Sequence, residues 1–319
     1  MSEAGFLGMR KTPVSLPLAL LAAWAGMAGP LAAQSAFANW RSVVDPVAVA
    51  STSTAEYQRQ KFGPGAPKPE TYLFFQGKYY GGTTRDPNLE KAQFDQIVKI
   101  VAENMVHQNY FPSKDVKNAD LLIVVHWGVT TTDVEPNYAD DRAQLANMSA
   151  QYDVALQRYL SGKGKGSPPD PGPVQAQLAL VDGEEATIMK QIAINAQLLG
   201  FKGQISKDQA LGTADLTGVS TEERELIESL NEERYLVILM AYDYHTMKKG
   251  STPKLLWSTR FSIRAPGNTF TAALPVMSKA AADYFGRAID GLKTVKPDLA
   301  PEGRVEVGAP TVVGDGKNK

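Results

Sequence analysis

The chain has 319 residues, a formal net charge of −1 at pH 7 and no cysteine. The lack of cysteine excludes disulfides, thiolate metal ligands, cysteine nucleophiles and lipid attachment through an N-terminal cysteine. The balanced charge offers no overall positive field to phosphates, so nucleic acid is not an expected partner. Hydrophobic residues make up 43% of the chain and charged residues 21%, the composition of a globular protein that can bury a core.

The N-terminal segment has the pattern of an export signal. Two basic residues precede an apolar run over residues 14–33, and small residues follow at positions 36 and 38. This order is typical of a secretory signal peptide. We predict cleavage after Ala38, with Ala33 as a second site, so residues 1–38 form the signal peptide. The mature protein is then periplasmic or extracellular and is not lipid-anchored through cysteine.

An uncleaved anchor helix is the alternative, because the apolar run approaches the ~20 residues that span a bilayer. Pro17, Gly26 and Pro30 interrupt such a helix and favour cleavage. Later segments are too short or too polar to span a membrane. The mature protein is therefore expected to have no transmembrane span.

The first predicted elements of the mature chain are strands and one helix. Residues 39–70 lack sustained periodicity and predict an irregular lead-in. An aromatic run over residues 71–76 predicts a first strand that Gly77 ends. Apolar positions spaced by three and four then predict a helix that Asn88 caps. A continuous apolar run over residues 121–125 predicts a central strand buried on both faces.

A long helical insertion is predicted at about residues 134–220, where helical periodicity and Gly/Pro-rich loops replace the strand pattern. Two helices, the second with a break near Gly183, are expected to pack as an antiparallel hairpin. The connecting loop covers residues 161–173. A third helix begins at Ser220, whose spacing to Glu223 is typical of a capping box.

The chain then returns to strands. A second continuous apolar run over residues 235–242 predicts another central strand. Strict alternation over residues 255–264 predicts a strand with one face in solvent. A last amphipathic helix begins near Thr271, with Pro275 tolerated only in its first turn or as a kink. Residues 291–319 are rich in Gly, Pro and Lys and predict a tail or an edge strand.

Together these elements predict a single α+β domain over residues 71–290, a mixed β-sheet with helices packed mainly on one face and interrupted by the helical insertion. The stretch Ala119-Asp120-Leu121-Leu122-Ile123-Val124-Val125-His126, closed by Leu256-Trp257-Ser258 and a last helix, resembles a family of bacterial envelope proteins. These proteins are often lipoproteins with a domain of unknown function. Over residues 71–130 and 234–290 the arrangement is similar to the N-terminal domain of the translocation protein TolB.

The resemblance implies an envelope protein with a TolB-like α/β arrangement. This chain departs from the family pattern because it lacks the lipid-bearing cysteine and carries the helical insertion. Membrane tethering is therefore not implied for it.

Histidine chemistry would have to use one of three histidines. His126 and His245 each follow an apolar run, and sheet proteins often place ligands where such strands end. If the two strands are neighbours, a catalytic site would use His126, Asp243 and His245. A metal site would use His126, His245 and Asp133. The sequence has no His-Glu-x-x-His motif, and ordinary strand-end residues explain the same pattern, which we favour.

Other motifs provide no catalytic constellation. Residues 162–166 lack the preceding strand and the Gly-Lys-Ser/Thr end of a phosphate loop. The chain also has no Gly-x-Ser-x-Gly elbow of a serine hydrolase. Several tyrosines either line a polar-aromatic groove or pack in the core, and core packing is the commoner role. These are Tyr72, Tyr79, Tyr80, Tyr242 and Tyr244.

The expected function is therefore that of an exported, noncatalytic envelope or periplasmic module for binding or assembly. Its partner would be an envelope protein or a cell-wall component, and no cofactor is expected. The alternative is a periplasmic metal-dependent or His/Asp hydrolase centred on His126 and His245.

The export signal gives a direct prediction. N-terminal sequencing of the exported protein is expected to start at Asn39 or Gln34, because a signal peptidase cuts after small residues. The released protein is expected in the soluble fraction. An intact chain that starts at Met1 in the membrane fraction would contradict cleavage.

Overall fold

The computed structural model describes residues 45–132, 137–164, 166–201, 220–250 and 252–296. The predicted signal peptide with both cleavage sites, the candidate ligand Asp133 and the chain after residue 296 lie outside these ranges. Among the helices within them, none is both long and apolar enough to cross a membrane.

Seven strands of the described residues form one mixed sheet in the order β3-β2-β4-β5-β6-β1-β7. Strands β3 and β4 run parallel to β2, and the other neighbouring pairs are antiparallel. The central positions of β4 and β5 confirm the two predicted central strands. The strands are β1 (Val47–Ser53), β2 (Glu70–Gly81), β3 (Tyr110–Pro112), β4 (Leu121–Val129), β5 (Arg234–Asp243), β6 (Leu255–Arg264) and β7 (Lys293–Val295).

Helices connect and cover these strands, which confirms the predicted α+β fold. The predicted hairpin of the insertion is formed by α4 and α5, which pack against each other. The helices are α1 (Ala55–Lys61), α2 (Pro87–Glu90), α3 (Phe94–Met105), α4 (Tyr138–Leu160), α5 (Gly172–Leu199), α6 (Thr221–Leu230), α7 (Tyr244–Lys248) and α8 (Phe270–Ala281).

The two faces of the sheet are covered by different parts of the chain. On the first face, α3 and α8 pack over apolar side chains that include Val237 and Leu239 of β5. On the second face, the C-terminal half of α5 and the helix α6 pack over Leu236 and Ile238. The inserted segment thus folds back onto the sheet, while the helices outside it supply the first face.

The prediction of an irregular lead-in over residues 39–70 is wrong in part, because some of these residues belong to the core. Residues 47–53 form β1 between β6 and β7, and residues 55–61 form α1. Val47 and Val49 are fully buried. The alternation of Val with Ala and Ser is a weak apolar pattern, and pairing with β6 rather than local preference decides this strand.

Local signals at helix ends were partly misleading. The side chain of Asp86, not Asn88, caps α2, and Asp86 Oδ1 accepts the Asn88 amide at 2.8 Å. Helix α5 continues through Gly183 without the predicted break. The predicted cap at Ser220 is confirmed, since its Oγ accepts the Glu223 amide at 3.1 Å. Pro275 lies inside α8, beyond its first turn.

The prediction for the polar face of β6, which lies on the second face of the sheet, is also wrong. Alternation predicted that this face meets solvent, yet Ser258 and Ser262 are each 1% exposed. The reason is tertiary, because α5 contacts β6. A lone alternating strand does not reveal whether a distant segment returns to cover its polar side.

Gly128 and Gly183 provide matched alanine substitutions with opposite expected outcomes. Gly128 of β4 has a φ of +143°, and a Cβ there would lie 2.0 Å from the carbonyl oxygen of Tyr80. A Cβ at Gly183 of α5 would meet nothing within 4 Å. We expect Gly128→Ala to lower the free energy of unfolding by more than about 2 kcal/mol. Gly183→Ala should raise it by about 0.5–1 kcal/mol.

Urea denaturation of both variants measures these changes against the wild type. A Gly128→Ala variant as stable as the wild type would show that β2 does not approach β4 as closely as described.

Candidate functional site

A bulge in β2 shapes the second face of the sheet. Gln76 pairs with Val125 and Tyr79 with Trp127, so β2 has one more residue than β4 between these pairs. The strand therefore does not end at Gly77, as predicted, but continues to Gly81. An extra residue reverses the alternation of side chains that follow it.

The reversal puts two neighbouring tyrosines on opposite faces. The centre of the Tyr79 ring lies 5.9 Å from that of the Trp127 ring on the first face, whereas Tyr80 packs against the cluster on the second face. Tyr72 is fully buried. These three tyrosines therefore do not line a common groove.

His126 is held by the backbone at this bulge. The Lys78 amide donates to His126 Nδ1 at 2.8 Å. A Cβ at Gly77 would lie 2.7 Å from the same nitrogen, so the missing side chain makes room for the imidazole. Because Nδ1 accepts this bond, the neutral ring carries its hydrogen on Nε2.

Arg260 lies in the same row of side chains across the sheet. The register pairs His126 with Ile238 and Ile238 with Arg260. Two strand spacings separate the histidine and the arginine, about 10 Å between their Cα atoms. The Arg260 stem passes beside Gly200 at the end of α5, where a Cβ would lie 3.2 Å from Arg260 Cδ.

One nitrogen of the Arg260 guanidinium has no hydrogen-bond partner among the described residues. This nitrogen is the Nε, which is buried. Burial lowers the pKa of Arg260, and the nearby Tyr80 opposes this shift. Arginine remains charged at pH 7 even so, because its ordinary pKa is about 12.5 or higher.

An open cavity of about 600 Å³ lies between α5 and the second face, above these side chains. We call it the α5 cavity. Its lining combines polar hydrogen-bond donors with apolar side chains, and it contains no carboxylate among the described residues. The lining residues are Lys78, Tyr80, His126, Val129, Thr131, Gln191, Ile194, Asn195, Gln197, Leu198, Ile238, Met240 and Arg260.

The electrostatics of the cavity favour an anion. Burial lowers the pKa of His126, and the positive charges of Arg260 and Lys78 lower it further. The imidazole is therefore neutral at pH 7. The Lys78 Nζ lies 4.7 Å from the centre of the Tyr80 ring. Burial raises the pKa of Tyr80, so its hydroxyl stays protonated and can donate.

The other predicted site residues lie at a different place. Asp243 caps α7, and its carboxylate accepts the Thr246 amide at 2.9 Å and the Thr246 hydroxyl at 2.7 Å. Burial alone would raise the pKa of Asp243, but these bonds and His245 outweigh burial and lower it. His245 Nε2 lies 3.6 Å from Asp120 Oδ1, and about half of the His245 side chain is exposed. Asp243 is thus occupied in a helix cap.

The register separates His126 from His245. Leu121 pairs with Asp243, and His126 pairs with Ile238. The five steps from residue 121 to residue 126 span about 17 Å at 3.4 Å per residue. The two histidines therefore lie towards opposite ends of β4 and do not share a metal or a water molecule. Within the described ranges, no three His, Cys, Asp or Glu side chains are grouped to hold a metal.

Sequence reasoning missed Arg260 and the α5 residues of the cavity. A signal was present in β5, whose apolar run leaves no polar face. Such a strand must be covered on both sides. The same cover necessarily extends over part of the neighbouring strand β6, which carries Arg260.

His126→Gln tests the environment of the imidazole. Since the pKa of His126 is lowered by folding, its contribution to stability is complete above the unfolded value of about 6.5 and is lost as the pH falls below it. At about pH 7.5 the variant should lose about 1 kcal/mol with its hydrogen bond. At about pH 5 the difference from the wild type should shrink.

Urea denaturation at the two pH values measures this. His107→Gln is the control, because it removes an exposed imidazole that follows α3. A constant difference between His126→Gln and the wild type would contradict the described burial.

Comparisons with family models and with curated proteins give no relative from which the site could be interpreted. No family model matches the chain. No curated protein matches it either.

Proposed function

We propose that the chain is an exported, noncatalytic binding module of the cell envelope that holds an envelope component in the α5 cavity. The observation that carries this proposal is the buried Nε of Arg260, which has no partner among the described residues. A buried donor without a partner costs about 1–3 kcal/mol. Because this nitrogen is inaccessible to solvent, a ligand that accepts from it must turn the guanidinium towards the cavity, and the new bond removes the cost.

The size and lining of the cavity support the same proposal. Its volume of about 600 Å³ is within the range of about 300–1,000 Å³ that is typical of small-molecule sites. Apolar side chains with a few converging donors are also typical of such sites. The walls come from β2, β4, β5, β6 and α5, so a rigid sheet positions the donors.

A binding role fits this lining better than hydrolysis. The described lining residues include no carboxylate that would orient His126 as a general base. His126 Nδ1 already accepts the Lys78 amide. A histidine-based nucleophile pair would need both a free basic nitrogen and an adjacent nucleophile.

The export signal and the resemblance to envelope proteins support the envelope as the place of action. The pattern over residues 1–38 predicts export, and the resemblance over residues 71–130 and 234–290 is to proteins of that compartment. The ligand would accordingly be a molecule of the periplasm or of the cell wall.

Native mass spectrometry tests the proposal. Mature protein is incubated with an extract of the bacterial envelope, and bound small molecules are released by denaturation. Ile194→Trp places a large ring at the cavity rim, where Ile194 is 49% exposed. Leu178→Trp is the control, since Leu178 is 45% exposed on the same helix and outside the cavity lining.

We expect the wild type and Leu178→Trp to retain a small molecule and Ile194→Trp to retain about tenfold less, which corresponds to about 1.4 kcal/mol. Equal retention by Ile194→Trp would show that the ligand binds elsewhere. A wild type that retains no small molecule would overturn the proposed function.

A further inference from the structure

We infer that the α5 cavity binds a monoanionic carboxylate joined to an apolar body, with Arg260 as the residue that recognises the carboxylate. This inference rests on the proposed binding role of the cavity. It adds the chemical class of the ligand and assigns the specificity to one side chain.

The charge of the ligand follows from the charges of the lining. Arg260 is the lining cation that is withdrawn from solvent, whereas Lys78 is exposed and stays hydrated. His126 is neutral at pH 7. One desolvated positive charge is balanced by one negative charge, and a dianion would leave uncompensated charge in a partly buried place. A monoanion therefore fits best.

The geometry of the free donor favours a carboxylate. A guanidinium presents Nε and one terminal nitrogen side by side, which matches the two oxygens of a carboxylate. The Nε of Arg260 is unused within the described part of the chain but is shielded from solvent, so a carboxylate uses this edge after the guanidinium turns towards the cavity. The lining has further donors for the remaining lone pairs, including the Tyr80 hydroxyl and the Nε2 hydrogen of His126.

The apolar part of the ligand follows from the rest of the cavity. A carboxylate group alone would fill a small part of about 600 Å³. The remaining walls include Val129, Ile194, Leu198, Ile238 and Met240. Burying apolar surface against these side chains stabilises the complex by about 25 cal/mol per Å². The carboxylate would thus determine orientation and the apolar body would supply much of the affinity.

Isothermal titration calorimetry with four probes tests the inference. Octanoate has both features, octanol keeps the chain without the charge, acetate keeps the charge without the chain, and octyl phosphate exchanges the headgroup. For the wild type we expect octanoate to bind at least about tenfold more tightly than each of the other three.

Variants of β6 assign the effect to Arg260. Arg260→Met should weaken octanoate binding at least about tenfold and leave octanol binding unchanged, because only the charged contact is lost. Arg260→Lys keeps the charge without the Nε edge and should be intermediate. Arg264→Met is the matched control, since Arg264 lies on the same strand and face but pairs with Glu232 outside the cavity.

The possible outcomes separate the two proposals. Tightest binding of octyl phosphate, equal binding of octanol and octanoate, or unchanged octanoate binding by Arg260→Met each overturns the carboxylate inference. If the envelope extract still supplies a ligand that Ile194→Trp excludes, the proposed binding role of the cavity stands even when the carboxylate inference fails. Thermal melts of every variant establish folding, and if Arg260→Met is unfolded, Arg260→Lys decides the outcome.

Discussion

The fold depends on one constraint, which is that the apolar runs of β4 and β5 present hydrophobic side chains on both faces of the sheet. Leu236 and Val237 are adjacent in β5, point to opposite faces and are both fully buried. Such strands lose the hydrophobic contribution unless helices cover both sides of the sheet. Helices α3 and α8 cover one side. The other side is covered by a segment that interrupts the sheet in sequence, and this makes the insertion a structural part of the domain.

The cover on the second face is incomplete, and the α5 cavity is the consequence. Helix α5 contributes Ile192, Ala196 and Leu199 to the buried cluster, while Ile194 and Gln197 stay beside it at the rim. Protein interiors are otherwise close-packed, with few voids. A half-buried arginine whose Nε has no partner in the described part of the chain is an unfavourable choice for stability alone. Features of this kind concentrate at functional sites.

The bulge in β2 links this cavity to local sequence. One extra residue at Gly77 and Lys78 leaves an amide outside the sheet ladder, and His126 accepts from it. The same extra residue turns Tyr80 towards the cavity. Bulges bend strands and change the direction of side chains beside active sites and at sheet edges. Here a single irregularity explains the positions of two lining residues.

The sequence by itself determined the central strands, the alternation of β6, the helical hairpin and the Ser220 cap, because periodicity and capping act over a few residues. It also identified His126 as a residue of interest. Only the tertiary structure decided that β1 belongs to the sheet, that His126 and His245 lie apart and that Arg260 is covered by α5. These facts depend on strand register and on contacts between segments distant in the chain, where packing and hydrogen bonding outweigh local preference.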